Sequence, residues 1–218
     1  MENDNVEELK KAIKQMHQRV KNIPLSLVIE SLSECKIIPF DPDDEKDKSL
    51  LSDLIDVSNY AVSNINKNGI SRSRPNEVGN DIEPFVKQSL RQHGYRADTP
   101  KTKNGGRKAT GYPDIEFIDK FSRLNYLECK TYNIENISTT QRSFYLSPSE
   151  NFKVTKDAHH FVLSFEIFPD GVSGKNTIYR CKKWKILSID NLLVDVKYEF
   201  QSDNKRLYSK EMIIAEKE

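Results

Sequence analysis

Apolar residues recur at helical spacing through the first part of the chain. In residues 4–21 they follow one another at steps of three and four, which predicts an amphipathic helix. Pro24 ends that pattern, and two further helices are predicted over 25–34 and 49–66. A fourth helix is predicted over 77–93. The N-terminal quarter is therefore expected to be all-helical.

After residue 95 the pattern changes to short segments rich in β-branched and aromatic residues, bounded by Gly, Pro, Asn or Ser. Strands are predicted over 114–119, 125–132, 160–168, 177–189 and 192–200. Residues 148–159 fit either a loop or a short helix. We expect an α/β fold in which helices flank a mixed β-sheet. Its predicted division is a helical N-terminal region, 1–70, and a core with the C-terminal strands, 71–218.

Composition excludes several classes of protein. The 218 residues contain three dispersed cysteines and no CxxC motif, which argues against a disulfide scaffold or a zinc knuckle. No apolar run approaches the roughly 18 residues of a membrane span, and the acidic start does not resemble a secretory signal. We therefore expect a cytoplasmic protein without a membrane partner.

The net charge of +1 conceals an uneven distribution. Residues 1–56 contain eight Lys or Arg against thirteen Asp or Glu, so the remainder of the chain is net basic. The stretch 101–112 contains no acid, and its cations are candidates for contacts with the phosphates of a nucleic acid. These candidates are Lys101, Lys103, Arg107 and Lys108. A solvated loop that is rich in lysine is the alternative interpretation.

The most informative residues lie on two neighbouring predicted strands. Asp114 begins the first strand, and Glu128 and Lys130 lie on the second. Because side chains alternate along a strand, Glu128 and Lys130 point to one face. A hairpin of these strands would bring all three side chains together. Two carboxylates suit Mg²⁺, which also keeps water and substrate phosphate as ligands, and an adjacent lysine can orient water or stabilise negative charge. This combination is suited to phosphodiester hydrolysis.

These residues resemble the motif of the PD-(D/E)xK nucleases: Pro113-Asp114, a spacer, then Glu128-Cys129-Lys130. The chain contains other Pro-Asp pairs and other (D/E)xK triplets, but only this combination has a short spacer, with 14 positions from Asp114 to Glu128. In that family a helix before the hairpin also contributes an acid to the metal. Glu83 is the candidate here, and Glu77 is the alternative. Acids near a helix start are also explained by the helix dipole alone.

The resemblance covers about residues 76–168 and is closest to type II restriction endonucleases. It implies a restriction-endonuclease-like core and Mg²⁺ as the cofactor. The implied metal ligands are Asp114, Glu128 and Glu83, and Lys130 would handle the attacking water. It further implies a homodimer that cuts double-stranded DNA at specific sites and leaves 5′-phosphate and 3′-hydroxyl ends. A cognate methyltransferase is expected in the cell, although not as a bound subunit. The N-terminal helices would serve dimerisation or DNA contact.

Polar residues after Lys130 are candidates for contacts with bases, because Asn and Gln pair with adenine and Arg with guanine. They are Asn133, Gln141 and Arg142. A polar loop is the alternative. Two other functions stay open: a repair or junction-resolving nuclease of the same superfamily, which would recognise DNA shape, and a DNA-binding module without catalysis.

Overall fold

The structure, a computed structural model, describes residues 2–16, 20–140, 142–144, 146–198 and 201–215. The helices are α1 (Glu2–Met16), α2 (Leu25–Ser33), α3 (Glu45–Asn68), α4 (Gly79–Gln92) and α5 (Asn204–Leu207). The strands are β1 (Ile23–Pro24), β2 (Ile70–Arg72), β3 (Arg96–Asp98), β4 (Ile115–Ile118), β5 (Leu124–Tyr132), β6 (His159–Ser173), β7 (Asn176–Ser188) and β8 (Leu193–Val194). Two short 3₁₀ turns cover Pro75–Glu77 and Ile134–Asn136.

The chain forms two compact units, Pro24–Leu192 and a smaller one made of Met1–Ile23 with Leu193–Glu218. In the smaller unit, the backbone amide of Val196 donates to the carbonyl of Val20 at 2.9 Å, and the amide of Asn22 donates to Asp195 Oδ1 at 2.9 Å. Helix α1 leaves its apolar stripe largely exposed. The exposed side chains are Val6, Leu9, Ile13 and Met16.

The larger unit is built on a six-stranded sheet with the order β2-β7-β6-β5-β4-β3. The pairing of β5 with β6 is parallel, and every other pairing in this sheet is antiparallel. A parallel pair requires a crossover connection, and here that connection is the long segment between Tyr132 and His159. Strands β4 and β5 form the antiparallel hairpin that the sequence predicts, with Ile115 opposite Leu127.

The core of this unit lies where the long helix α3 and the helix α4 pack on the sheet. Asp44 starts α3 by accepting hydrogen bonds from the amides of Lys46 and Asp47. Apolar residues at helical spacing then meet the odd-numbered side chains of β4 and β5 in one buried cluster. Its members include Leu50, Leu54, Val57, Ala61, Ile65, Ile82, Val86, Leu90, Ile115, Phe117, Leu127 and Cys129. The even-numbered positions of β5 include Glu128 and Lys130.

The predicted fold class is confirmed: a mixed sheet is flanked by helices and preceded by an N-terminal helix. All four predicted helices are present, although α4 begins at Gly79, two residues later than predicted. The predicted strand over 192–200 is wrong in extent, because of its residues that the structure describes, 192–198, only Leu193–Val194 form a strand. The division at residue 70 stays a prediction. Within the described ranges, no helix is both long and apolar enough to cross a membrane.

Candidate active site

Asp114 lies directly before β4 and is fixed against the neighbouring strand β5. Its Oδ2 accepts a hydrogen bond from the backbone amide of Cys129 at 2.9 Å. The antiparallel register places Ile115 opposite Leu127, so Asp114 meets β5 one step beyond the last ladder pair. This contact holds the Asp114 carboxylate beside the stretch of β5 that contains Glu128 and Lys130.

Glu128 and Lys130 share one face of β5, as strand alternation predicts. Lys130 Nζ donates to Glu128 Oε1 at 2.6 Å. Glu128 is only 6% exposed, whereas Lys130 is half-buried. The second oxygen of Glu128, Oε2, is buried and has no hydrogen-bond partner among the described residues. A buried carboxylate oxygen without a partner is costly, so this atom has free capacity to bind a ligand.

Glu83 projects from α4 and belongs to the same electrostatic cluster. Lys87, one turn further along α4, donates to Glu83 and also to Thr99 Oγ1, the latter at 2.6 Å. The negative charge of Glu83 contributes to raising the pKa of Asp114. The alternative acid, Glu77, instead accepts a hydrogen bond from Ser73 Oγ at 3.1 Å.

Burial dominates the acid–base behaviour of the two strand carboxylates. Burial and the neighbouring charge of Asp114 raise the pKa of Glu128 to about 7, against the opposing effects of Lys130 and Lys153. Burial also raises the pKa of Asp114, although the amide of Cys129 opposes that shift. Desolvation disfavours the charged form of an acid, and a bound cation would stabilise the charged form of both carboxylates. Neighbouring carboxylates whose pKa values are both raised are typical of a functional site.

The donor set fits a hard divalent cation that needs few protein ligands. Within the described part of the chain, no three His, Cys, Asp or Glu side chains are grouped closely enough to hold a metal alone. Mg²⁺ is commonly bound by one or two carboxylates, with water and substrate phosphate completing the shell. Asp114 and Glu128, with the unpartnered Glu128 Oε2, meet that requirement.

Sequence reasoning missed Lys153, a buried lysine in the crossover between β5 and β6. Its Nζ donates to the carbonyl oxygens of Gly111 at 2.6 Å and Pro113 at 2.9 Å. Burial lowers the pKa of Lys153, against the opposing charges of Asp114, Glu83 and Glu128. No spacing rule signals this residue, because it lies 23 positions beyond Lys130 in a segment without a clear pattern.

Tyr112 lies in the segment just before Asp114 and packs against His160. The Tyr112 hydroxyl contacts His160 Nδ1 at 2.5 Å, and the two rings stack with centroids 5.8 Å apart. His160 is fully buried, and burial lowers its pKa to about 3. It is therefore a neutral core histidine that positions Tyr112, directly before Pro113 and Asp114.

The basic loop is ordered by a tight turn. The amide of Thr102 donates to the Gly106 carbonyl at 2.8 Å, and Lys101 and Arg107 form an isolated β-bridge. Gly105 has a φ of +82°, a conformation that glycine adopts without strain. This turn presents cations at the surface.

The four cations of the loop differ in whether they form ion pairs with acids of the protein. Arg107 is engaged by acids of the sheet, with 3.1 Å from its Nη2 to Asp98 Oδ2 and 3.8 Å from its Nη1 to Glu116 Oε1. Lys101, Lys103 and Lys108 are exposed and form no ion pair with any residue that the structure describes. These three lysines, rather than Arg107, keep their charge available for a polyanion.

The other predicted DNA contacts are less defined. The Asn133 side chain is exposed, and its oxygen accepts a hydrogen bond from the Glu135 amide at 3.0 Å, which caps a 3₁₀ turn. Arg142 is exposed and has an interaction of its own within the protein. Gln141 lies outside the described residues. Whether these residues contact bases stays a prediction.

Comparison with known proteins identifies the family of the chain. Residues 10–211 match the model of the type II restriction enzyme MjaV family. The chain is 40% identical to type II restriction enzyme MjaV of Methanocaldococcus jannaschii, over 97% of this chain and 96% of that protein. No solved structure matches the chain. Since the family model spans nearly the whole chain, this protein belongs to the type II restriction enzyme MjaV family.

Proposed function

We propose that the protein is a sequence-specific endonuclease that hydrolyses double-stranded DNA with Mg²⁺, through a PD-(D/E)xK active site made of Asp114, Glu128 and Lys130. The observation that carries the proposal is the buried Glu128 Oε2, which has no partner among the described residues. It lies beside a second carboxylate and a lysine, in a chain that belongs to a family of restriction enzymes.

In this proposal each side chain has a separate task. Asp114 and Glu128 hold the cation, and Glu83 assists from α4. Bound Mg²⁺ would lower the pKa of water and offset the negative charge of the phosphate under attack. Lys130, which is held by Glu128 Oε1, orients the attacking water and stabilises the additional negative charge as the phosphodiester opens. The expected products carry 5′-phosphate and 3′-hydroxyl ends.

The exposed lysines Lys101, Lys103 and Lys108 support binding of the DNA backbone, because each can neutralise a phosphate. Asn133, Gln141 and Arg142 are proposed to contact bases. A homodimer is proposed as well, and the exposed apolar stripe of α1 offers a self-complementary surface for it. We place the enzyme in the cytoplasm, with a separate methyltransferase that protects the host sites.

The direct test is to incubate the protein with a long linear duplex of known sequence, with Mg²⁺ or with EDTA. Discrete fragments that form only with Mg²⁺ would support the proposal, and sequencing their ends would identify the site and the position of the phosphate. A branched duplex serves as the second substrate. Cleavage of the branched duplex alone would favour a junction-resolving nuclease, and binding without any cleavage would contradict catalysis.

A further inference from the structure

Lys153 is a buried cation at the active site that forms no hydrogen bond of its own with the proposed metal ligands. It is only 4% exposed. Its Nζ instead donates to two backbone carbonyls, Gly111 at 2.6 Å and Pro113 at 2.9 Å. Burying an ammonium group is unfavourable unless it is paired and hydrogen-bonded, so these two contacts explain how the fold accommodates it.

The two carbonyls belong to the three residues that precede Asp114 along the chain, and the Pro113 carbonyl is directly before it. The Pro113 carbonyl belongs to the peptide unit that ends at the Asp114 nitrogen, so a donor on that oxygen restrains the Asp114 backbone. The Asp114 side chain is restrained separately by the Cys129 amide at 2.9 Å. Asp114 is therefore held from two directions, with Lys153 on the backbone side and β5 on the side-chain side.

The charge of Lys153 also counters the acids of the site. Its ammonium group interacts electrostatically with Asp114, Glu83 and Glu128, and with the like charge of Lys87. Three neighbouring carboxylates repel one another before a divalent cation binds. The positive charge of Lys153 offsets this repulsion between the carboxylates. The two hydrogen bonds to backbone carbonyls hold its Nζ away from the position that the metal would occupy.

We infer that Lys153 is a positioning residue for catalysis: it anchors the Gly111–Pro113 backbone so that Asp114 meets the cation and the scissile phosphate in a fixed geometry. This inference rests on the proposed nuclease function. It assigns to Lys153 an effect on the rate and on cation binding, and no effect on affinity for DNA.

Lys153→Met tests the inference because it keeps an unbranched chain of similar length and removes the charge and both hydrogen bonds. Lys153→Arg is the conservative variant, since it keeps the charge and can donate to both carbonyls. Lys156→Met, at an exposed lysine three residues further along the same segment, is the matched control. Each variant is measured as the full chain, at equal concentration of folded protein.

For Lys153→Met we expect the single-turnover cleavage rate to fall by about 10- to 100-fold, the range for residues that orient metal ligands. The Mg²⁺ concentration for half-maximal rate should rise. The Kd for duplex measured in Ca²⁺ should stay unchanged. Lys153→Arg should recover most of the rate, and Lys156→Met should match the wild type.

A second readout does not depend on cleavage. Added Mg²⁺ should raise the melting temperature of the DNA-free wild type, and this rise should be smaller in Lys153→Met. An equal or larger rise in Lys153→Met, or an unchanged rate and Mg²⁺ dependence, would overturn the inference. If the wild type cleaves no duplex at all, the proposed function fails instead, and that result is distinct from a Lys153→Met variant that cleaves like the wild type.

Discussion

Two buried clusters of charged residues lie in the larger unit, and they differ in how completely their carboxylates are hydrogen-bonded. In the first, called the satisfied cluster, every carboxylate oxygen accepts a hydrogen bond, although Arg123 Nη2 has no partner among the described residues. Asp47 accepts hydrogen bonds from the Asp41 amide at 2.9 Å and from Arg123 Nη1 at 2.5 Å. Arg123 Nε donates to Asp119 at 2.7 Å, and His159 Nε2 lies 3.4 Å from Asp47. In the second cluster, Asp114 and Glu128 share fewer donors, and Glu128 Oε2 has none among the described residues.

The pKa shifts of the two clusters follow this difference. Burial alone would raise the pKa of Asp47, but hydrogen bonds from the Asp41 amide and Arg123 lower it overall. At Glu128 burial prevails, and the pKa rises to about 7. A satisfied cluster joins α3 to the sheet and stabilises the fold. A cluster with an unpartnered carboxylate whose pKa is raised matches the proposed cation site.

The largest expected effect is at Lys130. Lys130→Ala should lower the single-turnover cleavage rate by roughly 1,000-fold or more, because it removes the only proposed group that handles the water. Binding of duplex DNA in Ca²⁺ and the circular dichroism spectrum should stay near those of the wild type. Near-native cleavage by this variant would show that the cluster of Asp114, Glu128 and Lys130 is not the site of catalysis.

At the satisfied cluster the effect should be on stability. Arg123→Met leaves Asp47 and Asp119 buried without their shared cation, and we expect a loss of about 3 kcal/mol in the free energy of unfolding. Urea denaturation measures this loss. Lys120→Met is the control, because its surface ion pair with Asp53 at 3.1 Å should contribute less than about 1 kcal/mol. An unchanged denaturation midpoint for Arg123→Met would contradict a structural role.

Glu83 and Glu77 can be separated by one pair of variants. Glu83→Gln should lower the cleavage rate by about 10-fold and raise the Mg²⁺ requirement, because its charge acts on Asp114. Glu77→Gln should leave both quantities unchanged, since Glu77 pairs locally with Ser73. The opposite order of effects would assign the helix acid to Glu77.

The pKa of Glu128 predicts how stability depends on pH in the absence of metal. A carboxyl whose folded-state pKa is raised from 4.5 to about 7 stabilises the fold below pH 4.5, and this stabilisation is lost as the pH rises through 7. In EDTA, Glu128→Gln should therefore melt a few degrees above the wild type at pH 8 and at nearly the same temperature at pH 5. The exposed Glu135→Gln controls for the loss of one negative charge. A difference that does not change with pH would contradict the burial argument.

The smallest effect should come from the basic loop. Lys108→Ala should weaken duplex binding uniformly across sequences and reduce the slope of log Kd against log salt by about 1. Arg107→Ala should change this slope less, because Asp98 and Glu116 already engage Arg107. Fluorescence anisotropy at several salt concentrations measures both variants. Equal slopes for wild type and Lys108→Ala would show that Lys108 does not contact the DNA backbone.

The β4–β5 hairpin with the proposed site was predictable because its information is local. Strand alternation and a separation of 14 positions from Asp114 to Glu128 are enough to bring these two residues and Lys130 together. The supporting residues were not predictable in this way. Lys153 reaches Pro113 only through the crossover after β5, and Arg123 meets Asp47 across 76 positions of sequence. Such contacts depend on tertiary packing, which leaves no periodic signal in the chain.

The edges of the sheet were missed for a related reason. Strands β2 and β3 have three residues each, too few for an alternating pattern to stand out. The predicted strand over 192–200 has the right composition, yet among its described residues, 192–198, only Leu193–Val194 are in a strand. Strand propensity marks segments that fit a sheet, but hydrogen bonding requires a neighbouring strand at the right position.

We propose that catalysis belongs to the cluster of Asp114 and Glu128, and stability to the satisfied cluster. The most direct measurement compares single-turnover cleavage of a linear duplex in Mg²⁺ by Glu128→Ala and by Arg123→Met, at equal concentrations of folded protein. We expect no product above the EDTA background for Glu128→Ala, and a rate near that of the wild type for Arg123→Met. Cleavage by Glu128→Ala at the wild-type rate, or its loss in folded Arg123→Met alone, would contradict this proposal.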